Sequence, residues 1–139
     1  MLKRSKSEKK GVQGKVLIID DEPDLVDTIQ CRLDFDGYEV ITAENGKEGL
    51  EKAGKEKPDI ILMDYAMPIM NGPETLERLR NHPELKRIPV IMVTASAEAQ
   101  SVEKVCSYGI ADYIVKPFDF AVLVDKITSV LENKKLGKV

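Results

Sequence analysis

The chain has 139 residues, of which 42% are apolar, 32% are charged and 5% are aromatic, with no Trp. This length and balance predict one globular domain, and the scarcity of aromatic side chains argues against a base-stacking surface. The net charge is −3, but residues 1–15 carry six basic side chains against Glu8, a net charge of +5, which leaves −8 for the rest. An acidic body does not suit a nucleic-acid binder and does suit a protein that gathers a divalent cation.

Cysteine and histidine are too few for a zinc site or for Cys/His catalysis. Cys31 and Cys106 lie far apart in the sequence, and His82 is the only histidine. Both cysteines are interpreted as packing residues in a reducing compartment. The polar N-terminus predicts no signal peptide, and no apolar run approaches the roughly 18 residues that a membrane span needs. We therefore expect a soluble, cytoplasmic protein without membrane insertion.

In chain order, the first predicted elements are a strand, a helix and a second strand. The continuous aliphatic run 16–19 predicts a strand that is covered on both faces. A helix is expected to begin at Pro23, which suits a first turn, and to end before Gly37. Its apolar stripe is Leu25, Ile29 and Leu33. A weaker strand follows over Glu39–Ala43.

The middle of the chain predicts helix, strand and helix again. Asn45 and Glu48 make a capping box that opens a helix over about 46–55. The apolar run 60–63 predicts a third buried strand. A proline suited to a first turn then opens a helix over about 73–80.

The last part predicts two strands and two helices. The strands are 90–93 and the weaker 113–115, and a fourth helix is expected between them over about 97–108, ending at a glycine. Asp119 is expected to cap a fifth helix. The apolar stripe of that helix is Val122, Leu123, Ile127, Val130 and Leu131.

Five strand–helix units with right-handed crossovers predict an α/β fold of the (βα)5 type. We expect a doubly wound, five-stranded parallel sheet in three layers, with the flavodoxin-like strand order 2-1-3-4-5. The chain is divided into a flexible basic tail over 1–14, one domain over 15–133 and a flexible C-terminal tail over 134–139.

Polar residues follow four of the predicted strands, and parallel strands bring their carboxyl ends to one edge of the sheet. They are Asp20 and Asp21 after strand 1, Asp64 after strand 3, Thr94 after strand 4 and Lys116 after strand 5. Alone, an acidic pair is usually a helix cap, and a single aspartate is often a turn residue. Together, carboxylates about 4 Å apart repel by several kcal/mol, which a hard cation such as Mg²⁺ relieves. Lys116 adds a counter-charge suited to a phosphate.

These residues stand in four motifs. They are Asp20-Asp21-Glu22, Asp64-Tyr65-Ala66-Met67-Pro68 with Gly72, Thr94-Ala95, and Lys116-Pro117-Phe118. Together the motifs resemble the receiver domains of response regulators in two-component signalling, over about residues 15–131.

The resemblance implies that Asp64 accepts a phosphoryl group from a sensor histidine kinase or a phosphotransfer protein. The implied ligands of Mg²⁺, for which Mn²⁺ can substitute, are Asp20, Asp21, Asp64 and the backbone carbonyl of Ala66. Lys116 is expected to pair with a phosphoryl oxygen, and its bond to Pro117 is expected to be cis. The chain is then not an enzyme acting on an external substrate, and only phosphotransfer to itself and autodephosphorylation are expected.

The resemblance also implies a switch. Thr94 is expected to hydrogen-bond the phosphoryl group, and Tyr113 to turn from exposed to buried. The fourth helix, fifth strand and fifth helix would then present a changed surface to a downstream protein. The ordinary alternatives are that Thr94 only ends its strand and that Tyr113 is a plain strand aromatic.

The leading hypothesis is a stand-alone, chemotaxis-regulator-like receiver that is monomeric or forms a weak activation-dependent dimer. A receiver module excised from a longer regulator, such as a transcription factor, is the first alternative. A Mg²⁺-dependent phosphatase is a weaker alternative, because no insertion is long enough for a substrate cap. Binding of nucleic acid through the basic tail is disfavoured against a solubilising role.

Overall fold

The computed structural model describes residues 13–95 and 109–137, and in these residues a parallel sheet has the strand order β2-β1-β3-β4-β5. The strands are β1 (Lys15–Ile19), β2 (Glu39–Ala43), β3 (Ile60–Asp64), β4 (Val90–Ala95) and β5 (Asp112–Lys116). The helices are α1 (Pro23–Phe35), α2 (Gly46–Glu56), α3 (Gly72–Arg80) and α4 (Phe120–Lys135). Helix α4 is the fifth predicted helix, because the one expected over 97–108 lies outside the described residues. The predicted fold class and strand order are confirmed.

Successive residues of the central strands enter two different cores, which explains their unbroken apolar runs. In β1, Val16 and Ile18 pack with α1 and α4 on one face of the sheet. Leu17 and Ile19 pack with α2 and α3 on the other face. Every residue of β3 is buried. Helices therefore cover both faces, as the sequence predicts.

Side-chain caps fix where three of the helices begin. The Asn45 side chain accepts a hydrogen bond from the Glu48 amide, but the Glu48 carboxylate accepts from the Glu44 amide, one residue before the position that a capping box predicts. Asn71 and Glu74 form a complete capping box at α3, which sequence reasoning missed. Asp119 caps α4 as predicted, by accepting from an amide two residues ahead.

The predicted packing is wrong at Val122 and Cys31, and is incomplete at Leu25, which still packs against the core. Val122 is 45% exposed, because the buried stripe of α4 follows the helical spacing of Leu123, Ile127, Val130 and Leu131. In α1 the buried residue of the first turn is Val26, and the predicted Leu25 is only partly buried. Cys31 is exposed, since it lies on the solvent side of α1. Cys106 and residues 1–12 of the basic tail lie outside the described residues.

The described helices include no candidate membrane span. None of them combines the length and the apolar character needed to cross a bilayer.

Candidate functional site

The register of the sheet brings the ends of β1 and β3 level with each other. Ile19 pairs with Met63, and therefore the residues that come next, Asp20 and Asp64, lie side by side. The Asp20 amide continues the ladder by donating to the Ala43 carbonyl at 3.0 Å. Both aspartates are thus placed by the backbone of the sheet and not by a mobile loop.

Three carboxylates meet at this edge. Asp20, Asp21 and Asp64 each offer an oxygen, and these atoms all lie within 4.8 Å of one another. Asp20 and Asp64 are buried, with 4% and 6% of their surface exposed, whereas Asp21 is exposed. The Glu22 amide donates to the Asp20 carboxylate at 2.9 Å, which fixes the orientation of Asp20. The cluster is therefore buried on the side of Asp20 and Asp64 and open to solvent on the side of Asp21.

The environment of these carboxylates disfavours their charge. Burial raises the pKa of Asp64 to about 7, and the nearby Asp20 carboxylate adds to the increase, against the lowering effect of Lys116. Burial also raises the pKa of Asp20 above its usual range. Without a ligand, the cluster therefore holds negative charge that its own surroundings do not compensate.

Lys116 brings a positive charge to the site. Its Nζ atom lies 3.5 Å from Asp64 Oδ1, 3.6 Å from Asp20 Oδ2 and 2.5 Å from Glu22 Oε1. Burial would lower the pKa of Lys116, but the hydrogen bond to Glu22 and the two aspartates outweigh that effect and raise it. The bond from Lys116 to Pro117 is cis, as predicted. Sequence reasoning missed Glu22 as a partner of Lys116, although Glu22 directly follows Asp20 and Asp21 in the same motif.

The donor set fits Mg²⁺. The clustered ligands are carboxylate oxygens, and Mg²⁺ prefers oxygen ligands together with several retained waters. The open side of the cluster leaves room for such waters. Ala66 lies two residues beyond Asp64 in an exposed loop position, and the role of its carbonyl as a ligand stays a prediction.

Thr94 and Tyr113 occupy different positions relative to this cluster. Asp64 pairs with Val93, so Thr94 stands one residue further along β4, where it is fully buried and its hydroxyl donates to the Ala95 carbonyl at 3.2 Å. Tyr113 pairs with Met92, further from the carboxyl ends of the strands, and is 42% exposed. Their predicted switching roles stay predictions.

Gly72 begins α3, directly after the loop that follows Asp64, at a position with no room for a side chain. Its amide donates to the Tyr65 carbonyl at 2.8 Å, which folds the loop back onto the end of β3. A Cβ atom at this position would lie 2.7 Å from the backbone oxygen of Asp64. Any side chain at position 72 would therefore displace the backbone of Asp64.

The sequence matches the family described as the response regulator receiver domain over residues 16–128. The chain belongs to this family. The predicted resemblance is thereby confirmed, and the receiver family serves signalling and is not a class of conventional enzymes.

Relatives of this receiver domain include short and long proteins. It is 39% identical over 120 residues to Protein PilH of Pseudomonas aeruginosa, a match that covers 85% of this chain and 98% of PilH. It is 34% identical over 123 residues to the alkaline phosphatase synthesis transcriptional regulatory protein PhoP of Bacillus subtilis, which covers 88% of this chain and 50% of PhoP. The chain thus spans about half the length of this longer relative.

Solved structures agree with the fold. The chemotaxis response regulator CheY4 of Vibrio cholerae superposes with a TM-score of 0.78 at 33% identity, covering 84% of this chain and 97% of CheY4. The five-stranded order described above is therefore shared with a receiver that has been solved experimentally.

Proposed function

We propose that this receiver domain accepts a phosphoryl group on Asp64 from a sensor histidine kinase or a phosphotransfer protein, in a reaction that requires Mg²⁺. The observation that carries the proposal is the position of the Asp64 carboxylate, buried between two further aspartates and the Lys116 ammonium. A stable fold gains nothing from three clustered carboxylates, whereas a site for a cation and a phosphoryl group needs them.

The step is a substitution at phosphorus. A carboxylate oxygen of Asp64 forms a bond to phosphorus while the bond from phosphorus to the donor's imidazole nitrogen breaks, and that nitrogen keeps the electron pair and takes up a proton. Lys116, with Nζ 3.5 Å from Asp64 Oδ1, is close enough to neutralise an oxygen of the arriving group. Asp20, Asp21 and Asp64 would hold Mg²⁺, which when bound supplies neutralisation of phosphoryl charge.

Release and reading of the signal complete the proposal. Water would remove the phosphoryl group from Asp64 again, without action on an external substrate. Thr94 and Tyr113 would couple the phosphoryl group to the face that carries β5 and α4, where a downstream protein in the cytoplasm would bind; the fourth predicted helix, also assigned to this face, lies outside the described residues. The unit that carries this function is residues 15–133, as a monomer or a weak activation-dependent dimer.

Intact mass spectrometry tests the chemistry. Incubation with Mg²⁺ and a small acyl-phosphate donor is expected to add one phosphoryl group. The adduct should be absent from Asp64→Asn and in EDTA, and present in Asp59→Asn, which changes an aspartate at the opposite end of the sheet. If the parent chain forms no adduct with any acyl-phosphate or phosphoramidate donor, the proposal fails.

The switch has a test of its own. Thr94→Ala is expected to leave Asp64 able to take up phosphate but to weaken the conformational response, measured as activation-dependent amide shifts in NMR spectra. Thr94→Ser, which keeps the hydroxyl, should respond like the parent chain. Equal shifts in the alanine variant and the parent would contradict the role of Thr94.

A further inference from the structure

Lys116 is shared by three carboxylates at unequal distances. Its ammonium lies 2.5 Å from Glu22 but 3.5 Å from Asp64 and 3.6 Å from Asp20. Charge-assisted hydrogen bonds between an ammonium and a carboxylate are typically about 2.7–2.9 Å long. The short contact is therefore made to Glu22, and the two aspartates stand beyond that range.

Glu22 stands at the N-cap of α1, yet its side chain does not cap the helix. Caps favour Ser, Thr, Asp and Asn, whose short side chains reach the first free amides of the helix. The longer Glu22 side chain instead crosses to Lys116 at the end of β5. With 58% of this side chain exposed, the contact is not a consequence of packing around Glu22.

We propose that Glu22 is a positioning residue that binds the Lys116 ammonium more closely than Asp64 does before phosphorylation, so that an arriving phosphoryl group must compete with Glu22 for Lys116. This inference rests on the proposed function of Asp64. Lys116 is only 22% exposed and reaches from its strand into the cluster, so the same ammonium faces both competitors. Glu22 thereby sets how readily the unphosphorylated site engages a phosphoryl group.

The expected effect is graded. Ion pairs with an exposed partner contribute little, and their loss changes an equilibrium by about two- to five-fold. Removal of the Glu22–Lys116 contact should therefore lower the half-saturating concentration of a phosphoryl donor by about two- to five-fold. The maximal rate should change less, because Asp64 and the residues that would hold Mg²⁺ are left in place.

Three variants separate the contact from the charge. Glu22→Gln removes the carboxylate, and Glu22→Asp keeps the charge but shortens the reach by one methylene and favours capping of α1. Glu44→Gln is the matched control. Glu44 is an exposed residue that lines the same cavity as Asp20 and Asp21, and it is not among the ion-pair partners of Lys116 in the described residues.

The experiment measures the rate of phosphorylation against the concentration of phosphoramidate in Mg²⁺, and the binding of beryllofluoride as a phosphoryl mimic. Both Glu22 variants are expected to show the two- to five-fold tighter half-saturation, and Glu44→Gln none. If Glu22→Asp behaves like the parent, or if Glu44→Gln matches Glu22→Gln, general charge and not the contact is responsible and the inference fails.

A second readout does not depend on phosphorylation. In donor-free protein, the NMR signals of the Lys116 side chain should shift in both Glu22 variants and stay in place in Glu44→Gln. Unchanged signals in the Glu22 variants would overturn the contact itself. Failure of the proposed function looks different, because the parent chain would then take up no phosphoryl group and bind no beryllofluoride, whatever the Lys116 signals do.

Discussion

The two ends of the parallel sheet treat charge in opposite ways. At the amino end, acidic and basic residues from neighbouring elements contact each other. The Lys15 amide donates to the Asp59 carboxylate at 2.8 Å, and the Lys15 ammonium donates to the Glu56 carbonyl at 3.1 Å. Lys134 lies 3.9 Å from the other oxygen of Asp59. Lys15 and Asp59 at this end therefore each have a partner of opposite charge, because Lys15 also lies 3.5 Å from the Glu56 carboxylate and Asp59 faces Lys134.

At the carboxyl end, Asp20, Asp21 and Asp64 lie within 4.8 Å of one another, and two of them, Asp20 and Asp64, share Lys116 with Glu22. At that separation and an effective dielectric near 20, each pair of charges repels by about 3 kcal/mol. The amino end of the sheet is therefore stabilised by its charges, whereas the carboxyl end holds repelling charges that a bound cation would neutralise. Substitutions at the two ends test this difference.

Asp64→Asn is expected to stabilise the protein in the absence of divalent cations. The substitution removes a buried charge that its surroundings disfavour, and the free energy of unfolding at pH 7 should rise by about 2 kcal/mol. Urea denaturation in EDTA measures it. Added Mg²⁺ should narrow the gap by stabilising the parent chain. If Asp64→Asn is no more stable than the parent in EDTA, the charge of Asp64 does not destabilise the carboxyl end of the sheet.

The same carboxyl predicts a pH dependence. Its pKa is about 7 in the folded chain against 3.8 ordinarily, and between these values the folded state keeps a proton that the unfolded state has lost. The stability that this group contributes is therefore fully present below about pH 4 and is lost as the pH rises through about 7. The gap between Asp64→Asn and the parent should close by about 1–2 kcal/mol from pH 7 to pH 5 in EDTA. A constant gap would contradict the raised pKa.

The cluster at the carboxyl end could be predicted from the sequence, because strand ends are easy to locate, whereas the ion pairs at the amino end could not. Unbroken apolar runs mark strands between helix layers, and in a parallel sheet the residue after each run must lie at one edge. That reasoning placed Asp20, Asp64 and Lys116 together. It could not place Glu22 against Lys116, since that contact depends on the rotamers of two long side chains. Nor could it show that Val122 turns to solvent, because one step along a helix changes the face by about 100°.

The loop at the carboxyl end of β3 contains a strained backbone position. Ile69, in the loop between Asp64 and α3, has a φ of 71° and is 76% exposed. A β-branched residue in the left-handed region costs about 1–2 kcal/mol, and asparagine tolerates that region better. Ile69→Asn should therefore raise the free energy of unfolding by about 1 kcal/mol, measured by urea denaturation. Since little apolar burial is lost, a decrease would show that the loop does not hold this strain.

Asp59→Asn is expected to change the free energy of unfolding least among these substitutions. It is the same chemical change as Asp64→Asn, made at the amino end, and it is expected to have the opposite sign. The amide can still accept from the Lys15 backbone, but the attraction of Lys134 is lost, which should lower the free energy of unfolding by about 0.5 kcal/mol. The loss should shrink in high salt, which screens an exposed pair. If both asparagine variants shifted stability in the same direction, the difference between the ends would lie in hydrogen bonding and not in charge.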